Sequence, residues 1–531
     1  MPLAPSFPAS ELRYILDHSG ALVLLASAKY ADQAKEVLKE GLENTPLFSQ
    51  LEKLEKGSNE SFDVELDGLP DKAAGGMMLF TSGTTARPKG VMLSDATLTA
   101  QAHSLLQAWE YTPNDRLLHV LPLHHIHGTV NALLTPLLAG SSIEFMFPFN
   151  VDHVWKRFAA PFMQTNGVNG TNGTANHDTK PPITFFTVVP TIWARMLQTH
   201  SSLPLDLQAA TKEAITRPHL RLNISGSAAL PKPTRDGWTS LSTGNVLLER
   251  YGMTEVGMAL SCGLHDTDRI DGSVGWPLPS VEARLMETDD ATGSSTIIPL
   301  GEESDPATGK PRQGEVQLRG PTIFKEYWRN PAATAKEFTP DGWFKTGDIA
   351  IRAPVPGSGE GKSGSWATGP AYFIQGRRSA DIIKTGGEKV SALEIERELL
   401  SLPEISECAV VGLPSEAWGQ KVAAVVVLSE AGKAGGKSGK GWGAMDMRRA
   451  LKDRLVAYKI PQDLKVVEAI KRNAMGKVNK KELVPVVFGD GERIRRRSVE
   501  VGEERAALKR KEREAVEGLG DGKSAGGGKA P

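Results

Sequence analysis

An α/β body followed by a smaller α+β unit is the fold this sequence predicts. Three observations predict it. At 531 residues the chain is long for one domain. Short aliphatic or β-branched runs alternate with helix-periodic segments along most of its length. Late in the chain, one strong helix signal is followed by two long aliphatic runs.

The elements follow in chain order. "ASELRYILDHS" (9–19) has helical periodicity and leads into "ALVLLAS" (21–27), which reads as a buried strand. "MMLF" and "VML" flank a polar loop, and the next helix begins near Ser94. "ITFFTVVP", "LRLNIS" and "NVLLERY" read as further strands separated by helical patterns. "SALEIERELLSLPE" (391–404) opens on an N-cap serine, with Glu394 three residues on and apolar residues at helical spacing. "ECAVVGLP" and "KVAAVVVLS" then read as strands. The stretches 164–182, 354–370 and 430–443 are rich in Gly, Ser, Asn or Lys, and are expected to be floppy surface loops without a core. The tail from Gly489 mixes charges of both signs before ending in glycines, which reads as a solvated helix or disorder.

Composition narrows the function. With 40% hydrophobic and 24% charged residues the chain reads as an ordinary globular protein, and a net charge of −1 supplies no global field for nucleic acid or an anionic membrane. Cys262 and Cys408 are the only cysteines, which excludes a disulfide scaffold or cysteine-rich metal site and fits a reducing compartment. Apolar runs such as "VAAVVVL" (422–428) fall far short of the roughly 20 residues a bilayer span needs. "MPLAPSFPASELRYIL" lacks a basic start followed by an apolar core, so no secretory signal is read. The sequons at Asn169 and Asn172 are therefore expected to stay unmodified, and "GGGKAP" is no peroxisomal address. A soluble intracellular protein, cytoplasmic by default, is the expectation. No feature specifies an oligomeric state.

The loop "LFTSGTTARPKGVML" (79–93) crowds hydroxyls, glycines and a lysine between two apolar runs, a composition suited to an anion. It is not a P-loop: Pro88 stands where the second glycine belongs, and Lys89 is followed by Gly90. A second strand, not a helix, follows it, so binding would rest on backbone N–H groups, hydroxyls and one ammonium. On spacing alone a Ser/Thr-rich surface turn explains the loop equally well.

Five further motifs decide between these readings. "SGSAALP" (225–231), "ERYGMTE" (249–255), "GWFKTGD" (342–348), "GRRSADIIKTGGEKVSALEIE" (376–396) and "KRNAMGKVNKKEL" (471–483) follow the loop in order. Together they resemble the adenylate-forming superfamily of acyl-CoA synthetases, luciferases and peptide-synthetase adenylation domains, over about residues 11–488. The resemblance implies a large N-terminal adenylate-forming domain of layered αβ sheets (1–376), a smaller mobile C-terminal α+β lid (377–488) and a tail (489–531).

It also implies roles for individual residues. Thr81, Ser82, Gly83, Thr84, Thr85 and Lys89 would wrap the β- and γ-phosphates of ATP. Ser225, Gly226 and Ser227 would sit in a tight turn where small residues let backbone approach nucleotide and acyl group. Tyr251 and Gly252 would lie at adenine, Thr254 would offer a hydroxyl to phosphate, and Glu255 a hard oxygen to Mg²⁺. Asp348 would accept hydrogen bonds from both ribose hydroxyls, joined by an arginine of "GRRS", with Arg377 favoured over Arg378. Lys477 would meet the acyl carboxylate and α-phosphate; Lys480 and Lys481 are rivals, and the glycine–lysine spacing selects Lys477. Gly386 and Gly387 would help form the channel for coenzyme A after the C-terminal domain turns about a hinge near Ser379–Asp381.

The stretch "LPLHHIHGTVNALLTPLLAGSS" (121–142) is similar to the acyl-pocket wall of malonyl-CoA synthetases, and "RIDGSVGWPLPSVEARL" (269–285) points to the same subgroup. His124 and His125 would diverge on a strand, so zinc is not expected. Arg269, assisted by His125, would clamp the second carboxylate of a dicarboxylic acid; alternatively it pairs with Asp266, Asp268 or Asp271 on a surface loop. The implied activity is ATP-dependent formation of malonyl-CoA, and that of methylmalonyl-CoA is left open. The alternatives are a ligase or carrier-charging enzyme for another acid, or an inactive nucleotide-binding relic. The relic enters because the resemblance expects further strands and helices before Met1, whose lack would bare sheet faces and strand edges and remove any mitochondrial presequence.

Overall fold

The computed structural model describes residues 1–39, 41–52, 75–81, 88–163, 180–289, 292–436, 441–472 and 478–489. The chain divides into two compact units, Met1–Arg378 and Ser379–Pro531.

Four sheets are found among the described residues of the first unit. The largest has seven strands in the order Trp276–Pro277, Gly257–Ser261, Leu248–Met253, Leu222–Gly226, Phe185–Val188, Arg116–His119 and Ser142–Phe145. From Leu248–Met253 to Ser142–Phe145 the strands run parallel. Strands such as Phe185–Val188 and Leu222–Gly226 are buried at every position, which is why they read as unbroken apolar runs and not as alternation. Trp155, Trp193, Trp238 and Phe186 belong to one core layer; Trp109, Tyr111, Val130 and Ile224 belong to another.

A second, antiparallel sheet runs Ser295–Ile297, Glu282–Thr288, Gly314–Arg319, Phe344–Ala353, Ala371–Arg377. The polar loop joins an antiparallel hairpin, Gly76–Thr81 with Lys89–Ser94, in which Thr81 stands opposite Lys89. Glu326–Tyr327 pairs with the same outer strand, placing Tyr327 opposite Val91. Helix Asp95–Trp109 starts at once, because the Ser94 hydroxyl accepts a hydrogen bond from the Thr97 N–H at 3.2 Å.

Two readings of this unit need correction. The run 21–27 does hold a strand, Val23–Ser27, parallel to Leu47–Leu51. It is not buried, however: Leu22, Val23, Leu25, Leu47 and Leu51 are exposed, because among the described residues this sheet has only two strands. An aliphatic run announces a strand without announcing what covers it. The stretch 354–370 is not a floppy loop either. Gly359 N–H and Ser363 Oγ donate to the two carboxylate oxygens of buried Asp268, at 3.0 and 2.6 Å. Trp276 Nε1 donates to Gly369 O at 2.9 Å, and Ala367 is buried against Trp276. A buried carboxylate needs donors, and a glycine-rich segment supplies backbone N–H groups that can approach closely.

In the second unit, Ile405–Ser415 and Gly419–Leu428 form a long antiparallel pair, with Asp463–Val466 parallel to the latter. Helix Ala392–Leu400 is N-capped by Ser391, whose hydroxyl accepts from the Glu394 N–H at 3.1 Å. Ile383, Val390, Ile395, Val410, Val422 and Met447 make its core. The stretch 430–443 also departs from a plain loop: Glu430–Ala434 is a short helix and Trp442 is buried. Residues 437–440, 164–179 and those beyond Gly489 lie outside the described residues. No helix among the described residues is long and apolar enough to cross a membrane.

Candidate active site

Ser225–Ser227, Tyr251, Gly252, Thr254 and Glu255 lie at the carboxyl ends of two parallel strands, where sheets of this kind bind ligands. Ser225 and Gly226 end the strand Leu222–Gly226, and Ser227 follows with φ +68°, a left-handed value rare outside glycine. Tyr251 and Gly252 lie at the end of the neighbouring strand, Leu248–Met253, and Thr254 and Glu255 in the turn beyond it. That turn requires Gly252: a Cβ there would stand 2.1 Å from the Gly257 carbonyl oxygen. Gly252→Ala is expected to destabilise the protein by about 1–3 kcal/mol, read as a lower midpoint in urea.

Residues from three sheets meet at this edge. Tyr251 OH donates to Asp348 Oδ2 at 2.5 Å, and Arg377 Nε lies 3.0 Å from Asp348 Oδ1. The two adjacent arginines part company here, since Arg378 Nη2 reaches Glu315 at 3.4 Å instead. Asp348 is thus neither a turn nor a helix-cap aspartate; it sits inside the strand Phe344–Ala353, with its carboxylate between a phenol and a guanidinium. Nearby, Tyr327 OH donates to Glu255 Oε1 at 2.9 Å, and Lys89 Nζ stands 3.8 Å from the centre of the Tyr327 ring. Burial raises the Glu255 carboxyl above its ordinary range, opposed by the Tyr327 hydrogen bond and the charges of Arg377 and Lys89. A single carboxylate beside a phosphate-loop lysine suits a Mg²⁺ that arrives on a nucleotide, since Mg²⁺ takes one or two carboxylates and fills its shell with phosphate and water. No cluster of three His, Cys, Asp or Glu ligands is present among the described residues.

A second group of polar residues lies behind Gly226. Gly226 pairs with Arg250 across the strands, and a Cβ on it would meet the Arg250 guanidinium at 2.5 Å. Arg250 is 3% exposed, and its Nε and Nη2 have no hydrogen-bond partner. Burial pushes its guanidinium down to about 9. His127 Nε2 is hydrogen-bonded to Thr187 Oγ1 at 2.6 Å, while its Nδ1 has no partner. Burial, then the charge of Arg250, holds His127 neutral, well below the usual histidine range. Asn131, one turn along the same helical segment His127–Leu134, is fully buried with both side-chain polar atoms unpaired, and Tyr111 OH donates to its carbonyl at 3.0 Å. The buried Ser225 hydroxyl is unpaired too.

Such groups are rare in folded interiors, and each is open to a hydrogen bond from a polar ligand or a water. The motifs do not single out Arg250, His127, Asn131 or Tyr327. Arg250 does leave a trace: with Leu248 and Gly252 it shares one face of a strand otherwise built for burial.

Two expectations for the acid end are corrected. Arg269 is buried, and its Nη1 donates to Asn223 Oδ1 at 3.0 Å and to the Val246 carbonyl. Asn223 lies near the start of its strand and Val246 precedes the next, so this guanidinium stands at the opposite end of the sheet from Ser225–Ser227. Two of the aspartates on its own loop are engaged by other groups: Asp268 is held by Gly359 and Ser363, while Asp266 pairs with Arg217. His124 and His125 do not diverge along a strand; they occupy a bend before His127, with ring centres 4.2 Å apart.

The remaining candidates divide by position. Thr81 ends its strand with Oγ1 3.5 Å from the Lys89 carbonyl. Gly386 and Gly387 are the two turn residues of the hairpin Ile382–Thr385 and Glu388–Ser391, with φ +58° and +85°, which only glycine adopts freely. Ser82, Gly83, Thr84, Thr85 and Lys477 lie outside the described residues. Lys480, a rival of Lys477, is committed elsewhere, to Asp381 and Glu396 at 2.5 and 2.7 Å.

Comparison with known proteins identifies the family. Residues 1–328 match the family model of the AMP-binding enzyme, and residues 394–477 match that of the AMP-binding enzyme C-terminal domain. The chain is 69% identical to a CoA ligase of Gibberella moniliformis (strain M3125 / FGSC 7600), over 96% of this chain and 84% of the relative. It is 38% identical to the mitochondrial malonate–CoA ligase ACSF3 of Mus musculus, over 93% of this chain and 78% of the relative. Among solved structures it is similar to ATP-bound MatB from Rhodopseudomonas palustris, with a TM-score of 0.69 and 30% identity, covering 92% of this chain and 84% of that one. By its motifs, its fold and these matches, the chain belongs to the AMP-binding enzyme family.

Proposed function

We propose that this acid–CoA ligase joins malonate to coenzyme A through malonyl-AMP, consuming Mg·ATP and releasing pyrophosphate and AMP. The observation that carries the choice of acid is Arg250, a buried guanidinium with no carboxylate partner among the described residues, set against Gly226 of the Ser225–Ser227 turn and close enough for its charge to act on His127. A fatty chain placed beside Arg250 would leave the cation desolvated and unpaired, whereas the distal carboxylate of a short diacid completes it. The name of the malonate–CoA ligase relative points the same way.

In the first step one malonate carboxylate oxygen attacks the α-phosphorus, and the bond to the β-phosphate oxygen breaks. The loop Thr81–Lys89 receives the departing pyrophosphate, with Thr254 adding a hydroxyl and Lys477 meeting the α-phosphate. Glu255 would hold Mg²⁺, which supplies neutralisation of phosphate charge. Asp348 and Arg377 take the ribose hydroxyls, for which the Tyr251–Asp348 hydrogen bond must be exchanged, and Tyr251 presents its ring to adenine. In the second step the coenzyme A sulfur attacks the acyl carbon and the acyl–phosphate bond breaks, releasing AMP. Gly386 and Gly387, without side chains at an exposed turn, leave room for the pantetheine arm. The division of labour proposed is adenylation by the first unit and a lid function for the second, with import into mitochondria as the compartment suggested by the mouse relative's name.

Pyrophosphate release with malonate, methylmalonate, acetate and octanoate tests the acid. Malonate is expected to exceed both monoacids by roughly 10² in kcat/KM, since each monoacid leaves a buried charge unpaired. Equal rates with acetate or octanoate would remove malonate as the substrate.

A further inference from the structure

We propose that Tyr327 is a positioning residue that keeps Lys89 and Glu255 from neutralising each other. The inference rests on the nucleotide-site reading above and adds a residue to it. Lys89 and Glu255 both touch Tyr327: the ammonium lies 3.8 Å from the ring centre, and Glu255 Oε1 accepts from the hydroxyl at 2.9 Å. Yet no Lys89–Glu255 ion pair forms among the described residues. Lysine beside a largely desolvated carboxylate has a strong Coulombic incentive to close on it. The closed pair would cancel the two charges that a magnesium–phosphate ligand needs.

The tyrosine satisfies each group separately. Its ring face attracts the cation through the aromatic quadrupole and leaves ammonium N–H bonds for phosphate. Its hydroxyl occupies one lone pair of a carboxylate that has several, which leaves others for a cation. Tyr327 is well placed to hold this position: it is 3% exposed and paired in register with Val91, on the strand that begins with Lys89. Its ring packs against Phe324, whose N–H donates to the Glu255 carbonyl at 2.7 Å. One residue thus sets the distance between the outlet of the phosphate loop and the carboxylate.

The test is calorimetric binding of inorganic pyrophosphate to the full chain, with and without Mg²⁺, for the wild type, Tyr327→Phe and Tyr327→Leu, each also combined with Glu255→Gln. Tyr327→Leu is expected to weaken metal-free pyrophosphate binding about tenfold, because Lys89 closes on Glu255, and adding Glu255→Gln should restore it. In the wild-type background Glu255→Gln should bring no such gain. Tyr327→Phe, which keeps the ring, should leave metal-free binding within about twofold of wild type while shrinking the Mg²⁺-dependent gain several-fold. Unaltered pyrophosphate binding by a folded Tyr327→Leu protein, a loss that Glu255→Gln does not relieve, or an undiminished Mg²⁺ gain in Tyr327→Phe would each overturn the proposal. Failure of the wild type itself to bind pyrophosphate would instead sink the nucleotide-site reading beneath it.

Discussion

Arg250→Met should cost the enzyme about 3–4 kcal/mol of transition-state stabilisation with malonate, roughly 10²–10³ in kcat/KM. The loss comes from leaving the distal carboxylate in a desolvated pocket without its counter-charge, so KM for malonate should carry much of it. Activity with acetate should hold or rise, because the monoacid no longer enters beside an unpaired cation. Stability should move in the opposite direction to activity. In the free protein Arg250 is a buried guanidinium with unpaired Nε and Nη2, and burial already drags it down to about 9. Replacing such a charge with an apolar side chain of similar length is neutral or stabilising, by about 1–2 kcal/mol. A higher melting midpoint alongside lost malonate turnover marks a group held for ligand at the expense of the fold. A lower midpoint with equal losses for every acid would make Arg250 a structural residue and remove the central support for a diacid.

Much of this was legible from residues alone, and the misses have a common cause. The hairpin around the polar loop, the helix after Ser94 and the Ser391 cap all follow from local signals, where the deciding contacts lie within a few residues. The motifs brought Asp348, Arg377, Tyr251 and Glu255 to one edge, although they come from distant stretches of the chain. What escaped was decided by partners far along the sequence. Arg269 and Arg250 lie 19 residues apart and both stand near polar motifs, yet only the folded sheet shows that Arg269 turns to Asn223 while Arg250 faces Gly226. Tyr327 sits in an unremarkable "KEYW" and matters because register puts it between Lys89 and Glu255. The glycine-rich stretch 354–370 has the composition of a linker, but its Gly359 N–H and Ser363 hydroxyl answer a buried aspartate about 90 residues upstream.

The second large effect is expected from Lys480→Met, which should destabilise the smaller unit by about 3–5 kcal/mol. Lys480 opens the helix Lys480–Phe488, where a cation opposes the helix dipole, so its place there needs another reason. That reason is a buried triad: Lys480 Nζ lies 2.5 Å from Asp381 Oδ1 and 2.7 Å from Glu396 Oε1, with all three side chains largely shielded from water. Glu396 Oε1 also accepts the Val410 N–H at 2.8 Å, so the start of the unit, two helices and the strand Ile405–Ser415 are held through one ammonium. Burial would push Lys480 down, but the Glu396 and Asp381 carboxylates outweigh it and hold the ammonium above its usual range. A folded value above the unfolded one means that the stabilisation is complete below about pH 10 and fades as pH climbs through the raised value. Methionine keeps the length and removes the charge, leaving two carboxylates facing each other without a cation. In urea, the wild type should therefore keep its advantage over Lys480→Met from neutral to mildly alkaline pH and lose it at strongly alkaline pH, and adding Glu396→Gln to the Met variant should recover part of the loss. If the Met variant unfolds at the wild-type midpoint near neutral pH, the triad contributes no net stability, and the position of Lys480 has to be explained by chemistry in place of folding.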